Sequence, residues 1–209
     1  MQIPRSIAGT FTIALLAVVA SAAGTTAVAA DSPVSADPAR LVVEQRGDEF
    51  VLSVPVSRLS LSFPSKGLIQ NIPSSTAVGN QHPRYFMFTE ETSGALLTGW
   101  IESADNYGGF DAFWKDELRS LSRIPQFKPR NIRTGKVGTW EIAAYDVNLP
   151  IKGASNTHLR AEWVSMGAWI DIHISVTTTK PMEMARAEAL RLLESLRVGE
   201  KAPLSPAEE

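Results

Sequence analysis

Between Ala168 and Thr177 the chain alternates without a break: Ile170, Ile172, Ile174 and Val176 are aliphatic, and Trp169, Asp171, His173 and Ser175 lie between them. A period of two sends the β-branched residues to one face of a strand and the others to the opposite face. This segment therefore belongs in a sheet with one face on a core. Met166 and Gly167 supply a two-residue turn before it, so Thr157 to Val164 is its hairpin partner. The turn also sets the register. Val164 falls opposite Trp169, Glu162 opposite Asp171, Arg160 opposite His173 and His158 opposite Ser175. A slip of one residue would turn every side chain over, so the pattern specifies the pairing.

The same reasoning extends along the chain. Leu41 to Gln45 and Phe50 to Val56 read as strands joined by a turn at Arg46-Gly47-Asp48-Glu49, and Leu59 to Phe63 alternates until Pro64 stops it. Ser65 to Arg84 carries glycines, prolines and serines and reads as a long loop with room for a binding role. Tyr85 to Thr89, Ala95 to Ser103 and Thr139 to Asn148 read as further strands. At Phe110 the period changes. Phe110, Phe113, Trp114, Leu118 and Leu121 form one stripe of a helix whose other face holds Asp111, Lys115, Asp116 and Arg119. A closing helix is expected from Pro181 to about Val198, with Thr179 or Lys180 as its cap, Gly199 as its stop, and Met182, Ala185, Ala189, Leu192, Leu193 and Leu196 buried. These elements make an α+β domain: a largely antiparallel β-sheet with two amphipathic helices packed on it.

Residues 1–30 have the form of a cleavable signal peptide. Arg5 supplies the basic start, and Phe11 to Ala20 is an apolar run. That run falls well short of the ~20 residues a membrane-spanning helix needs. Small residues at Ala27 to Ala30 suit cleavage after Ala29 or Ala30. Residues 31–40 then read as a flexible leader, 41–200 as a single domain and 201–209 as a flexible tail. Export to a periplasmic or extracellular space follows, with no transmembrane anchor after cleavage. The chain has no cysteine, which excludes disulfides, thiol nucleophiles, thiolate metal ligands and a lipobox anchor. A formal net charge of −2 gives no general attraction to nucleic acid, and no nucleic-acid partner is expected.

Several strings are similar to the PsbP-like family, which includes the DcrB group of exported bacterial proteins: Leu59-Ser60-Leu61-Ser62-Phe63-Pro64, the helix marked by Phe110-Asp111-Ala112-Phe113, the hairpins around Trp140 and Trp163, and the closing helix after Thr177-Thr178-Thr179. The resemblance implies a sheet flanked by helices and an accessory or adaptor role, with no shared active site to carry over. The missing cysteine departs from lipidated members.

Two groups of residues carry candidate chemistry. The hairpin register gathers His158, Arg160, Glu162, Asp171 and His173 on one face. His158, Glu162, Asp171 and His173 are of the types that ligate metals or pass protons. The structural alternative is cross-strand ion pairing on a solvated sheet face, and that is the reading preferred here. The second group lies in Lys115 to Lys136, where Lys115, Arg119, Arg123, Lys128, Arg130, Arg133 and Lys136 face only Asp116 and Glu117. That excess suits a partner that is a protein or a cell-envelope component, and the structural alternative is a solvated helix face with exposed charges. Trp114 and Trp163 belong to the core by pattern, and Trp169 is placed on the polar face. The Arg46-Gly47-Asp48 tripeptide sits in a turn, and Gly108-Gly109 lacks the lysine of a phosphate loop. No nucleophile elbow, zinc-helix motif or triad order is present, and no cofactor is expected. The expected function is that of an exported, non-enzymatic binding or accessory protein. The alternative is a small-molecule or metal-binding protein, or an enzyme, built on the His158, Glu162, Asp171 and His173 face.

Overall fold

A computed structural model describes residues 40–54, 57–71, 84–124, 127–149 and 153–200. The signal peptide, most of the leader, the tail and positions 72–83 of the expected loop lie outside these residues. In chain order the elements are β1 (Val42–Arg46), β2 (Glu49–Ser53), β3 (Leu59–Pro64), β4 (Leu68–Gln70), β5 (Tyr85–Glu90), β6 (Ala95–Ser103), a 3-10 turn (Ala104–Asn106), α1 (Phe110–Ser122), β7 (Arg130–Val137), β8 (Trp140–Asn148), β9 (Ser155–Ser165), β10 (Ala168–Thr178), α2 (Met182–Ser195) and β11 (Arg197–Glu200). Among the described residues no helix is long and apolar enough to cross a membrane.

The strands form two antiparallel sheets where one was expected. The smaller runs β1-β2-β3-β11 and the larger β4-β5-β6-β10-β9-β8-β7. The larger sheet is the central layer. On one face, the aliphatic side of β10 joins the smaller sheet and α2 in a single core, with Ile170, Ile172, Ile174, Leu61, Phe63, Ala189 and Leu193 among its members. Phe88 of β5 meets Phe50 and Phe63 of the smaller sheet, with ring centroids 4.8 and 5.0 Å apart. On the opposite face α1 sets Trp114 and Leu121 against Ala143, Tyr145 and Val147 of β8. The domain is thus α+β with helices on both sides of its main sheet.

Three expectations need correction. The closing helix ends at Ser195, and Arg197 to Glu200 pairs with Leu59 to Ser62 as β11. The chain leaves the helix because Leu196 is buried and Val198 also packs on the core, two residues apart, which an extended backbone accommodates and a helix does not. Leu68 to Gln70, expected within a loop, adds to β5 as a short strand. Arg130 to Val137, where no element is expected from the sequence, is an edge strand. Its residues are nearly all exposed and a register shift falls between Arg130 and Arg133, so no hydrophobic period marks it.

Candidate functional site

The hairpin of β9 and β10 has the register the turn dictates, with Glu162 opposite Asp171 and Arg160 opposite His173. Its polar face is not solvated, contrary to the preferred reading of the sequence. Arg160 is 3% exposed, Glu162 and Asp171 each 1%. α1 crosses this face, where Arg160, Glu162 and Asp171 are buried while Trp169 and His173 stay partly exposed. Trp169 stands between Phe113 of α1 and Tyr107, at centroid distances of 6.4 and 5.3 Å. A buried charge must be paired to be tolerated, and the layer is arranged accordingly.

Arg160 donates from Nη2 to both carboxylate oxygens of Asp171 at 2.8 Å. Its Nε lies 3.9 Å from Oε1 of Glu117 on α1, and its guanidinium carbon sits 5.0 Å from the Phe113 ring centroid. Burial alone would lower the arginine's pKa, but the carboxylates of Asp171 and Glu117 raise it above its ordinary value. Glu162 accepts a hydrogen bond from the Trp169 indole. Burial, and then the neighbouring Asp171, push the Glu162 carboxyl well above the usual range. Burial raises Asp171 as well, but Arg160 opposes it there, so of the two carboxyls Glu162 holds the proton.

The histidines form a second group in the same layer. His158 Nδ1 and His173 Nε2 are 2.9 Å apart, and the two rings stack with centroids 5.1 Å apart. The Tyr145 ring stacks on the other side of His158 at 4.9 Å. Burial, then Arg160, depress His158 to about 3 and hold His173 well below its ordinary value, so both imidazoles are neutral and one donates to the other. Tyr145 Oη, His158 Nε2 and Glu162 Oε1 are sealed in without a hydrogen-bond partner among the described residues. No group of three His, Asp or Glu side chains among those residues is disposed to hold a metal ion. The sequence grouped the hairpin residues correctly but omitted Glu117, Tyr107 and Tyr145. A tryptophan alternating with Asp171 and His173 was the available sign that a helix covers this face.

The basic residues lie elsewhere. Arg119 lies in the last turn of α1, and Arg123 caps the helix with its backbone N–H on the carbonyls of Ser120 and Leu121, where a cation also meets the negative end of the helix dipole. Lys128 follows, and Arg130, Arg133 and Lys136 project from β7; all six side chains are exposed. Arg119 pairs with Asp116 at 2.9 Å, and Lys136 lies 3.8 Å from Glu141. At the register shift Asn131 adopts a positive φ of 52° and donates to Asp146 at 2.8 Å. Asp146 also takes Thr157 and Arg186 of α2. Burial pushes Asp146 up, but the hydrogen bonds from Arg186, Asn131 and Thr157 outweigh it and hold the carboxyl below its ordinary value. Between this edge and α2 runs an open groove of about 220 Å³ with Val137, Ile142, Ala144, Leu159 and Leu190 along it and Arg133 beside them.

The remaining sequence motifs are structural. Arg46-Gly47-Asp48 makes the β1–β2 turn, where Gly47 has φ 58°. Gly109 starts α1 at φ 95°, a backbone state that a side chain would strain. Trp163 packs edge-on against Trp140 at 5.0 Å.

No family model matches this chain, and no curated protein matches it. Among solved structures it is similar to a protein from Bacteroides thetaiotaomicron, at 16% identity over 72% of this chain and a TM-score of 0.39; the match covers 48% of that protein, about half its length. It is also similar to the cyanobacterial PsbP (CyanoP) of Synechocystis, at 10% identity, 82% of this chain, 99% of that one and a TM-score of 0.42. A PsbP protein is therefore among the structures that this chain is similar to, and membership of the DcrB group is not shown.

Proposed function

We propose that this chain is an exported, non-enzymatic accessory protein that engages an acidic protein or cell-envelope component through Arg119, Arg123, Lys128, Arg130, Arg133 and Lys136. The observation that carries the reading is the edge strand β7, whose Arg130, Arg133 and Lys136 project into solvent along an edge of the larger sheet that no other described strand pairs with. Like charges held close together repel one another, and a partner of opposite charge relieves that repulsion. Export is supported by the sequence of residues 1–30 alone.

The histidine and carboxylate layer supports a structural role instead. Catalysis or metal exchange requires access, and His158, Glu162 and Asp171 are buried, His173 alone of the four being partly exposed. Titration of the purified protein with divalent ions is expected to give no thermal shift, and bound metal on elemental analysis would revive the alternative. The main reading is tested by capture from an envelope extract, comparing the native protein with R123E/K128E/R130E/R133E. Partners held by the native protein should be lost to the variant. Retention of every partner would refute the proposal.

A further inference from the structure

Two features meet at β7. Among the described residues no strand pairs with its outer side, and Arg130 to Lys136 is exposed throughout. Such an edge presents a row of N–H and C=O groups that template another strand. The register with β8 then sorts the side chains. Arg133, Gly135 and Val137 fall opposite Ala144, Ile142 and Trp140 on the face shared with α2, while Thr134 and Lys136 fall opposite Ala143 and Glu141 on the α1 face. The α2 face is where the groove of about 220 Å³ lies, with Ile142, Leu159 and Leu190 along it. This volume is below the ~300–1,000 Å³ of sites for drug-sized ligands. It suits one aliphatic or aromatic side chain.

We infer that β7 and α2 together form a docking site for an extended acidic peptide segment, which adds to the β7 edge as a further strand and sets one apolar side chain in the groove. The inference rests on the basic-edge reading and gives it a partner. The open edge dictates the extended backbone, because main-chain hydrogen bonds supply the affinity of strand addition and pockets for alternate side chains supply its selectivity. Arg133 on one face and Lys136 on the other dictate acidity. A second copy of this chain is disfavoured as occupant, since β7 against β7 would bring arginines and lysines together, and the register shift at Asn131 deters self-pairing further.

The test uses fluorescence anisotropy with the full mature chain and a labelled peptide of about ten residues, one strand's length, rich in Glu and Thr with a central Leu. Two N-methylated versions block alternate amides in opposite phase. In a strand only every other N–H faces a given neighbour. One N-methylated peptide should therefore bind at least about tenfold more weakly and the other like the parent, and Leu→Ser in the peptide should also weaken binding about tenfold. If both N-methylated peptides bind like the parent while R133E/K136E abolishes binding, strand addition is wrong and the basic-edge reading survives. If R133E/K136E binds the parent peptide unchanged, the basic-edge reading falls as well. No binding of the parent peptide at millimolar concentration also overturns the inference. Arg133 and Lys136 are exposed, so a thermal melt matching the native protein is expected for R133E/K136E.

Discussion

Replacing Glu162 by Gln should make the protein more stable at neutral pH, and the size of the gain should depend on pH. The carboxyl is 1% exposed, accepts from Trp169 and faces Asp171 across the hairpin. Burial, followed by the charge of Asp171, raises it well above the ordinary 4.5. Below that ordinary value the group is protonated in both the folded and the unfolded chain, and it leaves stability unaffected. Above it the unfolded chain releases the proton and the folded chain keeps it. The folded state then loses about 1.4 kcal/mol for each pH unit until its own pKa is reached. Gln cannot ionise, yet it still offers an oxygen to the Trp169 indole. The stability difference between Glu162→Gln and the native protein should be near zero at about pH 4. It should then widen in favour of the variant by about 1.4 kcal/mol per pH unit before levelling off. Urea unfolding at steps of about one pH unit measures it, since the midpoint moves with stability while the slope reports the surface exposed. A difference that does not change with pH, or that turns against the variant as pH rises, would show that Glu162 is ionised in the fold.

Two further predictions concern the same layer. Arg160→Met leaves Asp171 buried without its guanidinium and should cost about 3–5 kcal/mol, with much of it recovered in Arg160→Met/Asp171→Leu; a single-variant loss under about 1 kcal/mol in urea unfolding would mean that water reaches Asp171. The neutral His158 and His173 contribute stability that is present above the ordinary 6.5 and is lost as pH falls towards the folded value, about 3 for His158. Each should contribute about 1.4 kcal/mol per pH unit to the acid-side loss, and His158→Phe should make the urea midpoint less sensitive between about pH 6 and 4; an unchanged slope would place a proton on that ring in the fold.

How much of this was legible in the sequence depends on what each residue's neighbours are. The register of the β9–β10 hairpin is legible to the residue because alternation from Ala168 to Val176 and the Met166-Gly167 turn each specify it, although β9 extends beyond Thr157 to Val164 at both ends. The α1 stripe was equally plain, and Trp114 and Leu121 are its buried members. Alternation shows only that a strand has two faces, and it does not say what lies on the second one. That is why Asp171 and Arg160 were assigned to solvent. β7 has no apolar period to detect, since its side chains face water and the shift at Asn131 resets the alternation. At the C-terminal end Gly199 reads as a helix stop, whereas the pairing of Val198 with Leu61 and Gly199 with Ser60 draws the chain into the smaller sheet.

The buried pairs also account for where the unbalanced positive charge collects. Asp146, the carboxylate in register with Arg130, is engaged by Arg186, Asn131 and Thr157, and Glu141 is shared by Lys136 and Tyr107. Asp146 is thus occupied by the fold, and Glu141 serves Lys136 alone among the β7 cations. Among the described residues Arg130 and Arg133 have no ion pair, and they sit in water, where salt screens them over about 8–10 Å at physiological ionic strength. Arg160 and Asp171, at 4% and 1% side-chain exposure, are screened far less. Salt should therefore separate the two systems. Raising ionic strength from about 0.05 to 0.5 M should weaken capture of an acidic partner by at least tenfold while shifting the thermal midpoint little. If the midpoint fell in step with capture, the β7 cations would be holding the domain together, and their exposure could no longer be read as a surface awaiting a partner.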